Sequence, residues 1–302
     1  MSPLRQPRKK DPRYLEEITY SVATQPAKLN DPFSSSLFMG RFDEEMLMEM
    51  LDKAGMIGIL HKRGFRKLVV NILRQDDYSS RLYVNFDSQD KETRIIELIV
   101  REGLFRPRED FVPSFDFSQG LSMLLIEWLA LQDPRAQFTY DKPRLPGQQY
   151  PGIGGLKNMQ SFLYQLGRLS GKDAIVDVPE FFHSAVIYAR LYTEIYDRMY
   201  AFFSPVDAGI MQTILRDTTG TGHSLAEISF AIAFDCLLDA RTRSRVKWRP
   251  SEQIYPVTRK LQRYVENDQY KKIVLKTMDE CSFVMDWDRF GQVKEQGLLD
   301  EL

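Results

Sequence analysis

The chain has 302 residues, 43% hydrophobic and 27% charged, with a formal net charge of −1, which indicates a soluble globular protein of one large domain or two ordinary ones. A balance this close to neutral sets up no global field towards nucleic acid or an anionic membrane. The richest apolar stretch, Leu121 to Leu131, is interrupted by Glu127 and too short to span a bilayer, and two distant cysteines, Cys236 and Cys281, make neither a disulfide framework nor a zinc site.

Residues 1–40 are polar and weakly patterned, and Arg5, Arg8, Lys9, Lys10 and Arg13 make a short basic arm. A solvated tail and a nucleic-acid contact are both open for it. The first 30 residues carry no apolar core of the signal-peptide kind. With free thiols, the expected setting is the cytoplasm. From Asp43 the spacing of Met46, Leu47, Met50, Leu51 and Ala54 predicts a helix, weakened at Gly55 and Gly58 and closed by Gly64. Three strand-like runs follow, Lys67 to Leu73, Arg81 to Phe86 and Arg94 to Val100, with a turn at Asp76 to Ser80 between the first two. The third run is compatible with strand or helix. Gly103 to Ser118 reads as a loop and Leu121 to Leu131 as a strand.

Gln132 to Gln149 is a long connection for a strand-to-helix step. A helix is predicted over Leu156 to Leu169, a buried strand over Lys172 to Val178, and a helix opened by Pro179 and running from about Glu180 to Tyr192. Strand, helix, strand, helix implies a parallel strand pair. Further on, Ser224-Leu225-Ala226-Glu227 is a capping box. Helices are then expected over Pro256 to Glu266 and from Asp268 onward. The reading is an α/β fold in three parts: a basic arm (1–40), an α/β core (41–203) and a mainly helical C-terminal region (204–302).

Residues 148–154 read Gln-Gln-Tyr-Pro-Gly-Ile-Gly, so Gln149 begins a Q-x-x-G-x-G segment between a strand and a helix start. Glycine at 152 and 154 permits positive φ and close approach of a ligand. The N–H groups there, with a helix N-terminus behind them, suit an anion. A turn serving only as a tight connection has the same glycines. Neither G-x-G-x-x-G nor G-x-x-x-x-G-K-[ST] is present.

This order of pieces resembles the GNAT superfamily of acyl-CoA-dependent N-acyltransferases. In that family a helix precedes a mixed sheet, and one strand leads into a Q/R-x-x-G-x-G/A loop that opens a helix and binds the pyrophosphate of coenzyme A. A parallel strand and a further helix follow. The resemblance covers roughly residues 43–203. It implies that Gln149, Gly152, Ile153, Gly154 and Gly155 hold acetyl-CoA or another acyl-CoA as co-substrate, and that Tyr188, on the following helix, donates a proton to the leaving thiolate. In the family the strand runs almost directly into the loop, whereas here Gln132 to Gln148 intervene. The stretches Arg144 to Gly154 and Val178 to His183 also loosely resemble bacterial proteins of unassigned function with an LPGQ–PG–G segment, which implies no activity.

Acyl transfer needs a group to take the amine's proton and another to protonate the thiolate. Glu127, a carboxylate in an apolar strand, is expected to be partly buried with a raised pKa, as a general base requires; the alternative is a frayed strand with Glu127 in solvent. His183 stands three residues after Glu180, but no second E-x-x-H accompanies it, so no metal is expected. It is either a base near the cleft or a satisfied structural histidine. Tyr188 is equally readable as a core aromatic, since the chain has 14 tyrosines. The leading expectation is an acyl-CoA-binding protein that transfers the acyl group to an unknown amine in a ternary complex. A non-catalytic GNAT-like binding or structural protein is the alternative. A third reading is an RNA-associated factor that uses the basic arm and the run from Arg241 to Arg249; that run also reads as a charged, solvated loop or a contact for an acidic partner, and nucleic acid is not the expected partner.

Overall fold

In the computed structural model, which describes residues 18–19, 37–74, 76–107, 111–193 and 198–302, β1 (Ile18–Thr19) is followed by α1 (Glu44–Lys53) and α2 (Met56–Lys62). Four antiparallel strands come next: β2 (Leu68–Arg74), β3 (Ser79–Phe86), β4 (Arg94–Phe105) and β5 (Leu121–Leu131). α3 (Leu156–Leu169) then crosses over to β6 (Ala174–Asp177), which is parallel to β5. After α4 (Phe182–Ala189) come a short pair, β7 (Tyr192–Thr193) and β8 (Arg198–Met199), then β9 (Ala201–Phe202), α5 (Pro205–Thr218), α6 (Leu225–Ala233) and β10 (Leu237–Asp239). β11 (Gln253–Pro256), α7 (Arg259–Val265), α8 (Asp268–Glu280), β12 (Phe283–Met285) and α9 (Trp287–Glu295) complete the fold. The main sheet is mixed, in the order β2-β3-β4-β5-β6-β11-β9, with β1 paired to Leu104 and Phe105 of β4.

Period-two alternation gives the sheet two apolar faces. One carries Leu82, Val84, Leu98, Val100, Leu124 and Ile126, and packs on Leu47, Leu51, Leu60, Phe162 and Leu166 of α1, α2 and α3. The other carries Met123, Leu125, Val176 and Ile254 beneath Phe182, Met211, Ile232, Tyr264 and Phe290 from the later helices. Each such side chain, removed from water, contributes roughly 1.5–3 kcal/mol. Caps fix the helix starts: Asp43, Ser204, Asn267 and Asp286 each accept from a backbone N–H, and Ser224 and Glu227 form the expected capping box.

Several expectations change in detail. The helix predicted from Asp43 is two helices, because Gly55 turns left-handed at φ +78. The ambiguous third run is strand, paired on both sides by β3 and β5. The helix after Pro179 spans only Phe182–Ala189. Pro256 closes β11 rather than opening a helix, and α7 begins at Arg259. The region after residue 204 is not all helical: β11 pairs with β6 from Gln253↔Asp177 to Pro256↔Ala174 and so extends the sheet itself. Within the first 40 residues, Phe38 is fully buried. The basic arm, Arg5 to Arg13, lies outside the described residues. No helix among the described residues is long and apolar enough to cross a membrane.

Candidate functional site

The parallel pair β5–β6 separates at its carboxyl end. Their pairing stops at Ile126↔Asp177, while β5 continues to Leu131 with β4 as its one remaining partner strand. At the point of separation the β4–β5 register passes from Ile99↔Trp128 to Val100↔Ile126, leaving Glu127 as the extra residue of a β-bulge. The bulge explains why Leu124, Ile126, Leu129 and Leu131 all face the same core although the run is not regularly alternating.

The connection after β5 returns to that end. Asp133 N donates to Pro151 O (2.9 Å), Ile153 N donates to Leu131 O (3.2 Å), and Gly152 bridges Gln132. The glycine turn is therefore stapled antiparallel to the end of β5. Gly154 and Gly155 take the left-handed conformation at φ +78, and Gly152 does not, contrary to the pattern expected from spacing. Ile153 is buried and its N–H is already used, so it anchors the turn. Gln149 is exposed.

Gly155 is the N-cap of α3 and has no side chain to offer. Among the described residues, nothing accepts from the N–H groups of Gly155, Leu156, Lys157 or Asn158. A left-handed residue followed by helical ones converges successive N–H groups into an anion-binding concavity, reinforced by the helix dipole. Lys157 is exposed in the first turn of α3, and Arg63 Nη2 lies 3.8 Å from the position a Cβ on Gly154 would occupy. Arg63 is placed by Arg135, whose guanidinium stacks on Phe65 (3.6 Å), pairs with Asp133 (3.2 Å) and donates to Arg63 O (2.9 Å). Beside Gly152 lies a shallow cavity of about 220 Å³ lined by Phe138, Lys142, Leu145, Gln148 and Pro151, among others. The positions of Arg63 and Arg135 were not read from the sequence; the dense basic stretch from His61 to Lys67 was the available signal.

The three candidate proton-transfer residues occupy separate surroundings. Glu127 is neither frayed nor isolated: its Oε1 accepts from Arg101 Nε at 2.5 Å, with Ser79 Oγ 3.5 Å from Oε2. Arg101 also reaches Asp76 at 3.4 Å. The bulge sets this placement, aiming the partly buried carboxylate across β4. Tyr188 is on the opposite face, packed against Tyr200 at 5.2 Å. Burial first, then the adjoining Asp177 carboxylate, which its hydroxyl hydrogen-bonds, raise its pKa well above the ordinary phenol value. Burial and Asp177 act on Tyr200 in the same direction. Asp177, a buried carboxylate at the end of an apolar strand, is thus the centre of this cluster; its place in the run Ala-Ile-Val-Asp-Val was the overlooked signal.

His183 is buried between α4 and α6. Its Nδ1 is 2.9 Å from Ser229 Oγ, its Nε2 3.2 Å from Ser184 Oγ, and its backbone N–H donates to Ser229 Oγ at 3.2 Å. Burial depresses its pKa to about 4, so it is neutral at physiological pH. Of the two readings left open, the structural one describes its contacts. No group of three or more His, Cys, Asp or Glu suited to a metal occurs among the described residues.

Fold and site define the class: an α/β protein with a mixed sheet and a glycine turn at the carboxyl end of its parallel strand pair. The chain matches no protein-family model, no curated protein and no solved structure.

Proposed function

We propose that the protein binds an acyl-CoA thioester, with the pyrophosphate at the glycine turn, and transfers the acyl group to an amine. The observation that carries the reading is the set of unanswered N–H groups at the start of α3, placed where β5 and β6 part. The element order supports a GNAT-like architecture: two helices, antiparallel strands, a bulged strand, the glycine turn and helix, a parallel strand, and antiparallel strands beyond it. In the reaction, the amine nitrogen attacks the thioester carbonyl, the C–S bond breaks, and the thiolate takes a proton as the nitrogen loses one. Tyr188 is our candidate for protonating the thiolate, since burial and Asp177 keep it a phenol at neutral pH. Of the two candidates to accept the amine's proton, Glu127 is the one we retain; His183 is held by Ser229 and Ser184. The acceptor is a small molecule or protein amine.

A second reading, binding without transfer, is favoured by one observation: the hydroxyl of Tyr188 and the carboxylate of Glu127 are each held by another side chain, and the His183 ring lies between two serine hydroxyls. Thiol release from acetyl-CoA in the presence of a panel of amines separates the two. Amine-dependent release that falls in Tyr188→Phe supports transfer. Saturable binding with no release for any amine supports the binding protein. Absence of both binding and release removes the acyl-CoA reading.

A further inference from the structure

Between β10 and β11 the chain presents Arg241, Arg243, Arg245, Lys247 and Arg249, all exposed. We propose that this segment is a docking strip for the phosphodiester backbone of a single-stranded nucleic acid. It makes no use of the acyl-CoA site.

The backbone of the strip is fixed by its own sequence. Asp239 Oδ1 accepts from Arg241 N (2.9 Å) and Thr242 N (2.7 Å), and Arg243 N donates back to Asp239 O (2.9 Å). Arg243 is held left-handed at φ +59, and Val246 N donates to Leu237 O at 2.8 Å. From Arg245 onward the alternation is that of a strand. Val246 and Trp248 turn inward onto the core, with Trp248 Nε1 donating to Pro179 O (3.3 Å) and its ring set edge-on to Phe182. Arg245, Lys247 and Arg249 are exposed at the alternate positions, away from that core.

Among the described residues, three of these five cations have no carboxylate partner. Lys247 pairs with Asp235 at 3.9 Å and Arg241 acts on the Asp239 carboxylate, whereas no ion pair among the described residues involves Arg243, Arg245 or Arg249. A closely spaced run of like charges, in a chain with a net charge of −1, is answered by a ligand that is itself a run of anions. Guanidinium forks match phosphate oxygens. A membrane surface would need an apolar anchor, and none of the exposed large hydrophobic residues lies in this segment. With Trp248 turned inward there is no stacking platform, so the contact is with the backbone and independent of base sequence.

The test is fluorescence anisotropy of the full chain with a labelled mixed-sequence single-stranded RNA at about 50 and 200 mM salt. R245Q/K247Q/R249Q is compared with K271Q/K272Q/K276Q, which removes three exposed cations from α8. Five phosphate contacts at about 0.7 each predict a log–log salt slope near −3.5, a loss of roughly 100-fold between the two salts. The first variant should lose at least about tenfold in affinity and about 2 in slope, and the control neither. The proposal is overturned by no binding at the lower salt, by binding that the first variant retains, by equal loss in the control, or by equally effective competition from polyglutamate or phosphatidylserine vesicles. The CoA affinity of the first variant should be unchanged, which keeps this result separate from the acyl-CoA reading.

Discussion

Gly55 and Gly155 both precede a helix in the left-handed conformation at φ +78, but their surroundings differ. At Gly55 the protein answers the glycine's own N–H and the carbonyl before it. Gly55 N donates to Asp52 O (2.7 Å), and Asn158 Nδ2 reaches across from α3 to Ala54 O (2.7 Å). A Cβ on Gly55 would stand 2.8 Å from that amide. At Gly155 a notional Cβ would stand 3.0 Å from Ile59 Cδ1, and among the described residues the glycine's own N–H has no acceptor; the N–H groups that open the following helix are unanswered at both junctions, Met56 to Gly58 as well as Leu156 to Asn158. Glycine and a positive φ are common to both, so they do not separate a structural junction from a binding one. The glycine's own N–H does: it donates to Asp52 O at Gly55 and has no acceptor among the described residues at Gly155. His183, with serine hydroxyls at both ring nitrogens, belongs with the closed kind.

That division between closed and open polar groups can be broken at several points. The largest effect is expected at His183. Its folded-state pKa of about 4 lies below the ordinary value of 6.5, so between those pH values the unfolded chain binds a proton that the folded chain does not. Stability from this residue is complete above about pH 6.5 and is lost as pH falls towards 4, on the order of 3 kcal/mol. Urea unfolding across that range should show the loss, His183→Asn should flatten it, and neither should alter CoA affinity at pH 7.

Next is Gly152→Trp. Gly152 is exposed, and a Cβ there would meet only Leu131 O at an ordinary 3.6 Å, so the fold should tolerate the change. CoA affinity should drop about a hundredfold, roughly 2.8 kcal/mol, with the melting temperature little changed. Retained affinity would place the pyrophosphate elsewhere. Gly155→Ala should cost roughly 2 kcal/mol in denaturant unfolding, from left-handed strain and the contacts with Ile59 and Met56. Asn158→Ala should cost about 1 kcal/mol by leaving Ala54 O without its amide, while CoA affinity stays within about twofold. Were Asn158→Ala to weaken CoA as strongly as Gly152→Trp, the two junctions would be one functional unit.

Much of the fold was legible because its signals are local. β5 and α3 have the bounds read from sequence, Leu121–Leu131 and Leu156–Leu169, since each apolar run is bracketed by glycine or proline. The capping box at Ser224 was equally plain. β9 and β11 were missed because strands this short have too few residues to display a period; only their neighbours in the sheet define them. α5 was missed although Ser204-Pro205 is a good start signal. At the site, the glycine turn and its place after a strand were readable, but not which glycines turn left-handed, since spacing carries no sign of φ. The partners of Glu127 and Tyr188 were hidden for a different reason. Arg101 and Asp177 lie on other strands, and a bulge that exists only through the β4–β5 register decides where Glu127 points.

The most direct test of the central claim is a titration of ¹⁵N-labelled protein with CoA, followed through the backbone amide resonances. The account predicts saturable shifts for Gly154, Gly155, Leu156, Lys157 and Asn158, with inorganic pyrophosphate moving the same amides more weakly. Shifts confined to other parts of the chain, or none at all, would contradict it.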